Sequence, residues 1–319
     1  HSAEGLPEFL KNGGTVVVDR LGNTLIAGLN NKTPSNGFKC DTCHDDLTKW
    51  TRYKIANVTF PSGKVIDSKN QDTNLCISCH QGRESTTSMN IQLAGKDPDK
   101  VDAAISFKNV HYFAAGASLF GTEAQGGYEF TGKKYVGRNN HVDGFNNCVN
   151  CHQTHELGVK LDKCQACHPA VKALADVDAI RMTNSKGDYD GNGKEEGIGV
   201  EVANLQKALL TSMQDYAKTV SGAGIVYDSA SYPYWFVDAN GDGKPDVASG
   251  ALVRYNKFTP RLEQAAYNYQ FSKKDPGAAV HNGKYLIQLL YDSIEGLNTK
   301  ASKPVDMTKM VRPEVPAPK

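Results

Sequence analysis

The sequence lacks long hydrophobic runs and lacks an excess of charge of either sign. No apolar segment among its 319 residues approaches the roughly 18 residues that a membrane-spanning helix requires. The formal net charge is +1, which gives the polypeptide no strong electrostatic preference for nucleic acid or for an anionic membrane. These absences predict a soluble, loop-rich protein with no transmembrane segment and no nucleic-acid partner.

An initiating methionine and a basic-then-apolar leader are also missing, since the sequence begins at His1. Secretory signals have that composition and are removed from the mature protein. We therefore expect a secreted protein, exported through the periplasm to the extracellular space or the outer cell surface.

No cysteine lies outside one repeated motif, Cys-x-x-Cys-His, which occurs four times. The units are Cys40, Cys43 and His44 in the first, Cys76, Cys79 and His80 in the second, Cys148, Cys151 and His152 in the third, and Cys164, Cys167 and His168 in the fourth. In a c-type haem site, two thiols three residues apart form thioethers to one porphyrin, and the imidazole of the next residue reaches the iron. The motifs predict four covalently bound haems with these four histidines as proximal ligands.

Two other interpretations of the cysteines remain open. Paired Cys-x-x-Cys units can hold zinc, and eight cysteines in an exported protein can form four disulfides. Neither arrangement requires a histidine directly after every second cysteine. Four such units that use every cysteine are far beyond chance, so the pattern favours haem.

Five histidines are left once the proximal ligands are assigned. The predicted distal ligands are His111, His141, His155 and His281, with His1 as a fifth candidate. His155 lies three residues after His152 and, in a helical turn, would project from the same side, so its expected target is a neighbouring haem. If imidazoles close all four sixth positions, substrate cannot bind iron, and one-electron transfer is the chemistry that remains.

Several stretches resemble the extracellular multihaem cytochromes that polymerise into electron-conducting filaments. They are HYFAAGASLFG (111–121), NNHVDGFNNCVNCHQTHELG (139–158), GDYDGNGKEEGI (187–198), YWFVDANGDGKPD (234–246) and TPRLEQAAYNYQFSKKDPGAAVHNGKYLIQLLYDSIEGL (259–297). The resemblance implies bis-histidine haems stacked along a helical homopolymer, with an axial histidine that can come from the adjacent subunit. It implies other multihaem cytochromes and extracellular electron acceptors as partners. Four motifs favour the tetrahaem members.

Two acidic loops in the cysteine-free half match the D-x-[DN]-x-[DN]-G opening of a calcium loop, in which alternate oxygens face the ion. The predicted ligands are Asp188, Asp190, Asn192 and Glu196 in the first loop, and Asp238, Asn240, Asp242 and Asp246 in the second. Neither loop has glutamate at its twelfth position, and the nearest completions are Glu196, Glu201 and Asp246. Plain Asn/Gly turns that need no ion are the alternative.

The predicted fold is mostly irregular, with short α-helices and few β-strands around a chain of four haems. Residues 1–169 form the tetrahaem-binding region, where few apolar stripes occur and porphyrin should supply most of the core. Residues 170–300 form a more helical region that carries the acidic loops and packs on the haems, and 301–319 form an extended, proline-containing tail. Apolar periodicity predicts helices over 199–219, 260–271 and 285–294, with His281 just before the last.

Three functions fit these features. The first is an electron conduit that assembles head to tail, and the second is a monomeric periplasmic electron shuttle. The third is a multihaem reductase, which needs an iron with an open sixth position. All four motifs keep their histidine and five more are available, so the sequence favours an electron-transfer protein over an enzyme.

Overall fold

The computed structural model describes residues 3–14, 16–18, 24–26, 37–183 and 185–316. His1, the fifth distal candidate, lies outside them. The helices are α1 (Gly5–Lys11), α2 (Gln71–Cys79), α3 (Thr86–Leu93), α4 (Ala115–Phe120), α5 (Cys148–Cys151), α6 (Leu161–Gln165), α7 (Ile198–Tyr216), α8 (Pro260–Lys274) and α9 (Ala278–Asn298). Short 3-10 turns occur at Cys40–Thr42, Gly121–Glu123 and Leu174–Ala179, and α7 continues into a π-helical turn at Ala217–Ser221.

The described strands are two or three residues long and pair in antiparallel hairpins, each with the next strand along the chain. The strands are β1 (Val16–Val18), β2 (Thr24–Ile26), β3 (His44–Asp46), β4 (Thr51–Arg52), β5 (Val58–Thr59), β6 (Val65–Ile66), β7 (His152–Gln153), β8 (Gly158–Val159), β9 (Ile225–Tyr227), β10 (Trp235–Val237), β11 (Val247–Ala248) and β12 (Ala251–Leu252). A mostly irregular fold with short helices and a few small strands is therefore confirmed. No helix in the described residues is long and apolar enough to cross a membrane.

Helices α7, α8 and α9 pack against one another, and α4 packs on α9. The predicted stripe of α7 is buried, from Val202 through Leu205 and Leu209 to Tyr216. Thr259 caps α8 by accepting a hydrogen bond from the Leu262 N–H, and Pro260 occupies its first turn, where no intrahelical N–H is needed. The strongest helical signals in the sequence thus form the packed centre of the C-terminal half.

Helix α9 is longer than its periodicity predicted, because a short helical turn precedes the predicted part and a kink at Asn282 joins the two. The first turn begins at Ala278 and contains His281, which therefore lies just before the helix that follows the kink, as predicted. Asn282 has non-helical dihedral angles (φ −165°, ψ 72°) and kinks the helix there. Its buried side chain donates to the Gly137 carbonyl at 2.9 Å. Asn282 and Gly283 interrupt the apolar pattern at this point. The periodicity therefore predicted only the part of the helix that follows the kink.

The N-terminal half supplies more apolar core than its sequence suggested. Ile55, Phe60, Ile77 and Met89 are buried in the same hydrophobic cluster as the C-terminal helices. These residues come from separate short elements, so they form no stripe that periodicity could detect. Residues 137–170, by contrast, contain no buried residue at all. That segment carries the third and fourth haem motifs.

The tail adopts no helix or strand over the described residues 301–316. It lies against α9 of its own chain. Arg312 pairs with the buried carboxylate of Asp292 at 2.8 Å and stacks over Tyr135, and Gln288 donates to the Pro313 carbonyl at 2.9 Å. These contacts hold an extended segment in place without secondary structure.

Candidate haem-binding site

All four Cys-x-x-Cys-His motifs form a turn of helix in the structure. In the second, third and fourth motifs, the backbone N–H of the histidine bonds to the carbonyl of the first cysteine. In the first motif the turn closes one residue earlier, from the Cys43 N–H to the Cys40 carbonyl. Residues three apart on a helical turn share a face. Each pair of thiols is therefore presented on one side of its turn, as attachment to a single porphyrin requires, and all eight cysteines are unpaired.

The cysteines differ in exposure, and Cys167 of the fourth motif is among the exposed ones. Helix α6 ends at Gln165, so Cys167 lies in the turn that follows it, where its N–H donates to the Cys164 carbonyl at 3.2 Å. Cys40 and Cys43 are exposed as well, whereas the other five cysteines are partly buried. The polypeptide alone does not enclose Cys167. Its thioether to a porphyrin therefore stays a prediction that rests on the motif.

Three histidines have their Nδ1 atom held by an acceptor. His80 donates to the Phe113 carbonyl at 2.7 Å, and His44 lies 3.1 Å from the Trp50 carbonyl. His281 donates to the Asp275 carboxylate at 2.7 Å. A hydrogen bond at Nδ1 fixes the tautomer and the ring orientation and leaves Nε2 free to bind a metal.

Three pairs of histidine rings lie at a nearly constant centroid distance, with their planes inclined to each other by between 10° and 51°. The ring centroids are 6.5 Å apart for His44 and His155. They are 6.4 Å apart for His168 and His141 and 6.2 Å apart for His152 and His281. Two metal–nitrogen bonds of about 2 Å placed end to end would separate the centroids of two coaxial imidazoles by roughly 6 Å. Each pair combines one motif histidine with one predicted distal histidine, and its spacing fits a shared haem iron.

The motif histidine that is left is His80, of the second motif. It lies on a segment that adjoins the segment carrying His111, the distal candidate that is left among the described residues. The Arg83 N–H donates to the Val110 carbonyl at 3.0 Å, and the Gly116 N–H donates to the His80 carbonyl at 2.8 Å. The chain on either side of His111 is thereby fixed against the chain around His80.

His155 does not lie in a helical turn, so that part of the sequence prediction was wrong. His152 begins strand β7, and His155 lies in the loop that joins β7 to β8. The hairpin directs the two rings to different partners, His152 to His281 and His155 to His44. One short hairpin therefore links the first and third motifs.

The third motif also contacts the second and the fourth motifs. Helix α5 packs against α2 and against α6. The thiols of Cys76 and Cys148 are in hydrogen-bonding contact, and this contact lowers the pKa of Cys148 to about 6. The Lys160 N–H, at the start of α6, donates to the Cys151 carbonyl at 2.8 Å. All four motifs thus form one contiguous cluster with the third motif in the middle.

Burial favours the neutral form of several candidate ligands. Desolvation lowers the pKa of His111 to about 4, and it also lowers the pKa values of His141 and His152. Neutral imidazole is the form that binds a metal. Desolvation likewise raises the pKa of the Cys79 thiol to about 12, and this cysteine packs against the hydrophobic core.

Exposed apolar side chains cluster beside the histidines. Trp50 contacts the His44 ring edge-on at 5.4 Å and is 59% exposed. Phe113, Val142, Leu157 and Val280 are also exposed, and each lies within two residues of a predicted distal histidine. Apolar surface around a ligand pair is what a porphyrin face requires. The donor set and its surroundings both fit haem.

The two acidic loops differ in how their carboxylates converge. In the described residues, the potential ligand atoms of Asp188, Asp190 and Glu201 lie within 4.8 Å of one another. Glu201, which the sequence offered beside Glu196 as a completion of the loop, belongs to this group, and the Glu196 carboxylate accepts a hydrogen bond from Asn192 at 2.7 Å. No equivalent group of three forms among the described residues of the second loop. There Asp238 accepts the N–H groups of Gly241 and Gly243.

Glu201 is fully buried and is held by a network that the sequence did not reveal. Arg181 donates to its Oε1 at 2.7 Å, and the N–H groups of Tyr189 and Asp190 donate to its Oε2 at 2.9 and 3.0 Å. The glutamate therefore positions the first loop from inside. Asp275 was missed, because nothing in the sequence marks a carboxylate six residues before His281 as its hydrogen-bond acceptor.

Similarity to known proteins agrees with this geometry. The chain is 24% identical to the C-type polyheme cytochrome OmcB of Geobacter sulfurreducens, over an alignment that covers 92% of this chain and 43% of the relative. It is 26% identical to the C-type polyheme cytochrome OmcC of the same organism, over 70% of this chain and 30% of the relative. The chain thus spans less than half the length of these relatives.

The homology and the motif geometry together support a place among the multihaem c-type cytochromes. No protein-family model matches the chain, and no solved structure matches it. The relatives are polyhaem cytochromes, which agrees with covalently bound haem.

Proposed function

We propose that the protein is an extracellular tetrahaem c-type cytochrome that transfers electrons through bis-histidine haems and polymerises into a conductive filament. Among filament-forming cytochromes, its sequence resembles the tetrahaem protein OmcE. The observation that carries the proposal is the pairing of motif and distal histidines at 6.2 to 6.5 Å. Three pairs at one spacing, next to covalent attachment motifs, favour electron transfer over catalysis.

Each iron would have two protein ligands, and the ring spacing supports three of the four pairs. The proposed pairs are His44 with His155, His80 with His111, His152 with His281, and His168 with His141. With both axial positions closed, the haems supply one-electron redox chemistry and bind no substrate. The role of the protein is to fix the rings, through the acceptors on Nδ1 and through the β7–β8 hairpin.

The haems also complete the fold. Residues 137–170 have no buried side chain, and such a segment cannot be stabilised by its own apolar contacts. Porphyrins attached to its two motifs would cover Val142 and Leu157, and iron–histidine bonds would tie it to His44 and His281. We infer that this segment is stabilised mainly by its haems.

The filament, the extracellular location and the terminal acceptors rest on the resemblance. A head-to-tail contact that does not close produces an open helical polymer, and a continuous haem chain would then run between subunits to extracellular acceptors or other multihaem cytochromes. A monomeric periplasmic shuttle with the same haem ligation is the second candidate. The contiguous cluster of motifs would serve either function.

The test begins with purified holoprotein. We expect four haems per chain, an entirely low-spin ferric spectrum, and filaments by cryo-electron microscopy with haem density crossing each interface. Discrete particles with the same spectrum would favour the shuttle. A high-spin ferric component would favour a reductase.

Single substitutions test the ligand pairs. The variants His155→Ala, His281→Ala, His141→Ala and His111→Ala should each convert one haem of the four to high spin. His1→Ala is the control, and it should leave every haem low-spin. A low-spin spectrum in any of the four variants would refute that pairing.

A further inference from the structure

Lys274, the last residue of α8, is held between the rings of two tyrosines. It is only 8% exposed. Its Nζ lies 4.3 Å from the ring centroid of Tyr112 and 3.9 Å from that of Tyr234, and the hydroxyl oxygens of the two tyrosines are 2.9 Å apart. The face of an aromatic ring attracts a cation. The hydrogen-bonded pair of rings therefore fixes the position of the ammonium group.

The charge of Lys274 is not cancelled by the carboxylate that follows it in the chain. The Asp275 carboxylate accepts the hydrogen bond from His281 at 2.7 Å. Burial lowers the pKa of Lys274, whereas the attraction to the two ring faces favours the charged form, most strongly where the cation is desolvated. An aromatic ring has no net charge. The ammonium of Lys274 thus brings a net positive charge into the protein.

Lys274 is connected to His80 and to His111 by measured contacts. Its carbonyl accepts the Phe113 N–H at 2.8 Å, and the Phe113 carbonyl accepts the hydrogen bond from His80 Nδ1 at 2.7 Å. The ring centroids of Tyr112 and His111 are 5.2 Å apart. Lys274 Nζ therefore lies at most about 9.5 Å from the His111 ring centroid, the sum of the two distances to the Tyr112 centroid.

A buried charge at this distance is large enough to shift a redox equilibrium. Desolvation, and then the charges of Arg83 and Lys274, lower the pKa of His111 to about 4. Arg83 is exposed, so solvent and salt screen its charge more than that of Lys274. At about 12 Å and an effective dielectric constant of about 20, one unit of charge shifts an equilibrium between two charge states roughly tenfold. For one electron, a tenfold shift corresponds to about 59 mV.

We propose that Lys274 is a positioning residue whose charge raises the reduction potential of the haem of the second motif. This inference rests on the proposed function, in which His80 and His111 are the axial ligands of that haem. The step is the transfer of one electron from the physiological donor to ferric iron, which becomes ferrous. No bond forms or breaks, and the site loses one unit of positive charge. A fixed cation nearby therefore favours the reduced state.

The end of α8 brings charges of opposite sign to the ligands of two haems. Lys274 lies beside the segment of His111, and Asp275, the next residue, is hydrogen-bonded to His281. The cation raises one potential, whereas the carboxylate lowers the potential of the haem proposed between His152 and His281. Two consecutive residues thus separate the potentials of the second and third haems, and they favour placing the electron on the second.

Spectroelectrochemical titration of the four haems in the holoprotein tests the role of Lys274. Lys274→Met keeps the length of the side chain and removes its charge, so the potential of one haem should fall by about 59 mV, a tenfold shift in its ferrous-to-ferric ratio. Lys274→Arg keeps the charge and should leave the potential near that of the wild type. Lys273→Met is the matched control, because Lys273 is the preceding residue and is exposed, and it should leave all four potentials unchanged.

The affected haem can be identified by its spectrum. His111→Ala should convert the haem of the second motif to high spin, and Lys274→Met added to His111→Ala should lower the potential of that high-spin haem. A shift in a low-spin haem instead would overturn the proposal. Unchanged potentials in Lys274→Met, an equal fall in Lys273→Met, or the same fall in Lys274→Arg would overturn it as well. Lys274→Gln is the second neutral variant if Lys274→Met does not fold.

Absorbance spectra from the same titration separate the two ways of failing. Four low-spin haems that are reduced reversibly, with potentials that Lys274→Met does not change, refute only the role of Lys274. A wild-type protein without four low-spin haems refutes the proposed function, and the inference about Lys274 with it.

Discussion

His281 donates its Nδ1–H to the Asp275 carboxylate across 2.7 Å, and the centroid of its ring lies 6.2 Å from that of His152. Asp275 is 3% exposed and also accepts the Gly277 N–H at 3.1 Å. A carboxylate on Nδ1 makes an imidazole more basic, so that it stabilises the more positively charged state of a bound metal. His44 and His80 differ from His281, because the hydrogen-bond acceptor at their Nδ1 atoms is a backbone carbonyl and not a carboxylate.

Asp275→Asn should therefore raise the reduction potential of the haem proposed between His152 and His281. The amide keeps an acceptor in place but lacks the negative charge. Spectroelectrochemical titration of the four haems would measure the shift in one of them. Asp306→Asn is the control for loss of one negative charge, since Asp306 is exposed on the tail and accepts from Thr308. Equal shifts in both variants would contradict a specific role for Asp275.

Two glycines of α9 should respond oppositely to alanine. A Cβ at Gly283 would lie 2.4 Å from Ile198 Cγ1, whereas a Cβ at Gly296 would find its nearest neighbour at 3.8 Å. Gly283→Ala should cost about 1–3 kcal/mol by overpacking. Gly296→Ala should stabilise by about 0.5–1 kcal/mol, because alanine loses less backbone entropy in a helix. Thermal unfolding of the holoprotein measures both, and similar effects in the two variants would refute this packing.

Low pH should weaken the contact that Asp99 makes with helices α7 and α8. Arg261 of α8 holds Asp99 with two hydrogen bonds, of 2.6 and 3.0 Å, and the Tyr216 hydroxyl of α7 donates a third at 2.7 Å. The Arg261 guanidinium lowers the pKa of Asp99. The folded state therefore favours the carboxylate, and this stabilisation is present above the unfolded-state pKa of about 4 and is lost as the pH falls through the folded-state value.

Asp99→Asn should accordingly destabilise the protein by about 1.5–3 kcal/mol at neutral pH and have little effect at strongly acid pH. Melting temperatures measured across that range provide the test. Glu295→Gln is the control: its partner is Lys133 at 2.6 Å, but the glutamate side chain is half exposed, so its loss should cost less than about 1 kcal/mol. A pH-independent effect of Asp99→Asn would contradict the ionic contribution.

Calcium should stabilise the protein through the first acidic loop. A ligand that binds only the folded state adds about 2.7 kcal/mol to the free energy of unfolding when its concentration is a hundred times its dissociation constant. We expect added calcium to raise the melting temperature, and Asp190→Asn to remove most of the rise. Asp242→Asn should remove little of it, because the second loop lacks a converging group of three carboxylates among the described residues. A melting temperature that calcium leaves unchanged would favour plain turns in both loops.

The helical turns of the motifs and the local periodicity could be predicted from the sequence. The four Cys-x-x-Cys-His motifs are local, because a single helical turn brings two thiols to one side whatever the surrounding fold. The buried face of α7 was equally evident, since Val202, Leu205 and Leu209 recur with the helical period. The candidate distal histidines were identified by counting. The four motifs implied four irons, and five histidines remained outside the motifs.

Tertiary structure decided which groups meet. His44 and His155 are more than a hundred residues apart in sequence, and only the β7–β8 hairpin directs one ring toward the other. Asp275 and Glu201 are ordinary acidic residues until folding brings them next to His281 and the first acidic loop. The physical reason is that sequence patterns report interactions within a few residues of chain, whereas ligand pairing, burial of a charge and its hydrogen-bond partners depend on distances between segments far apart in sequence.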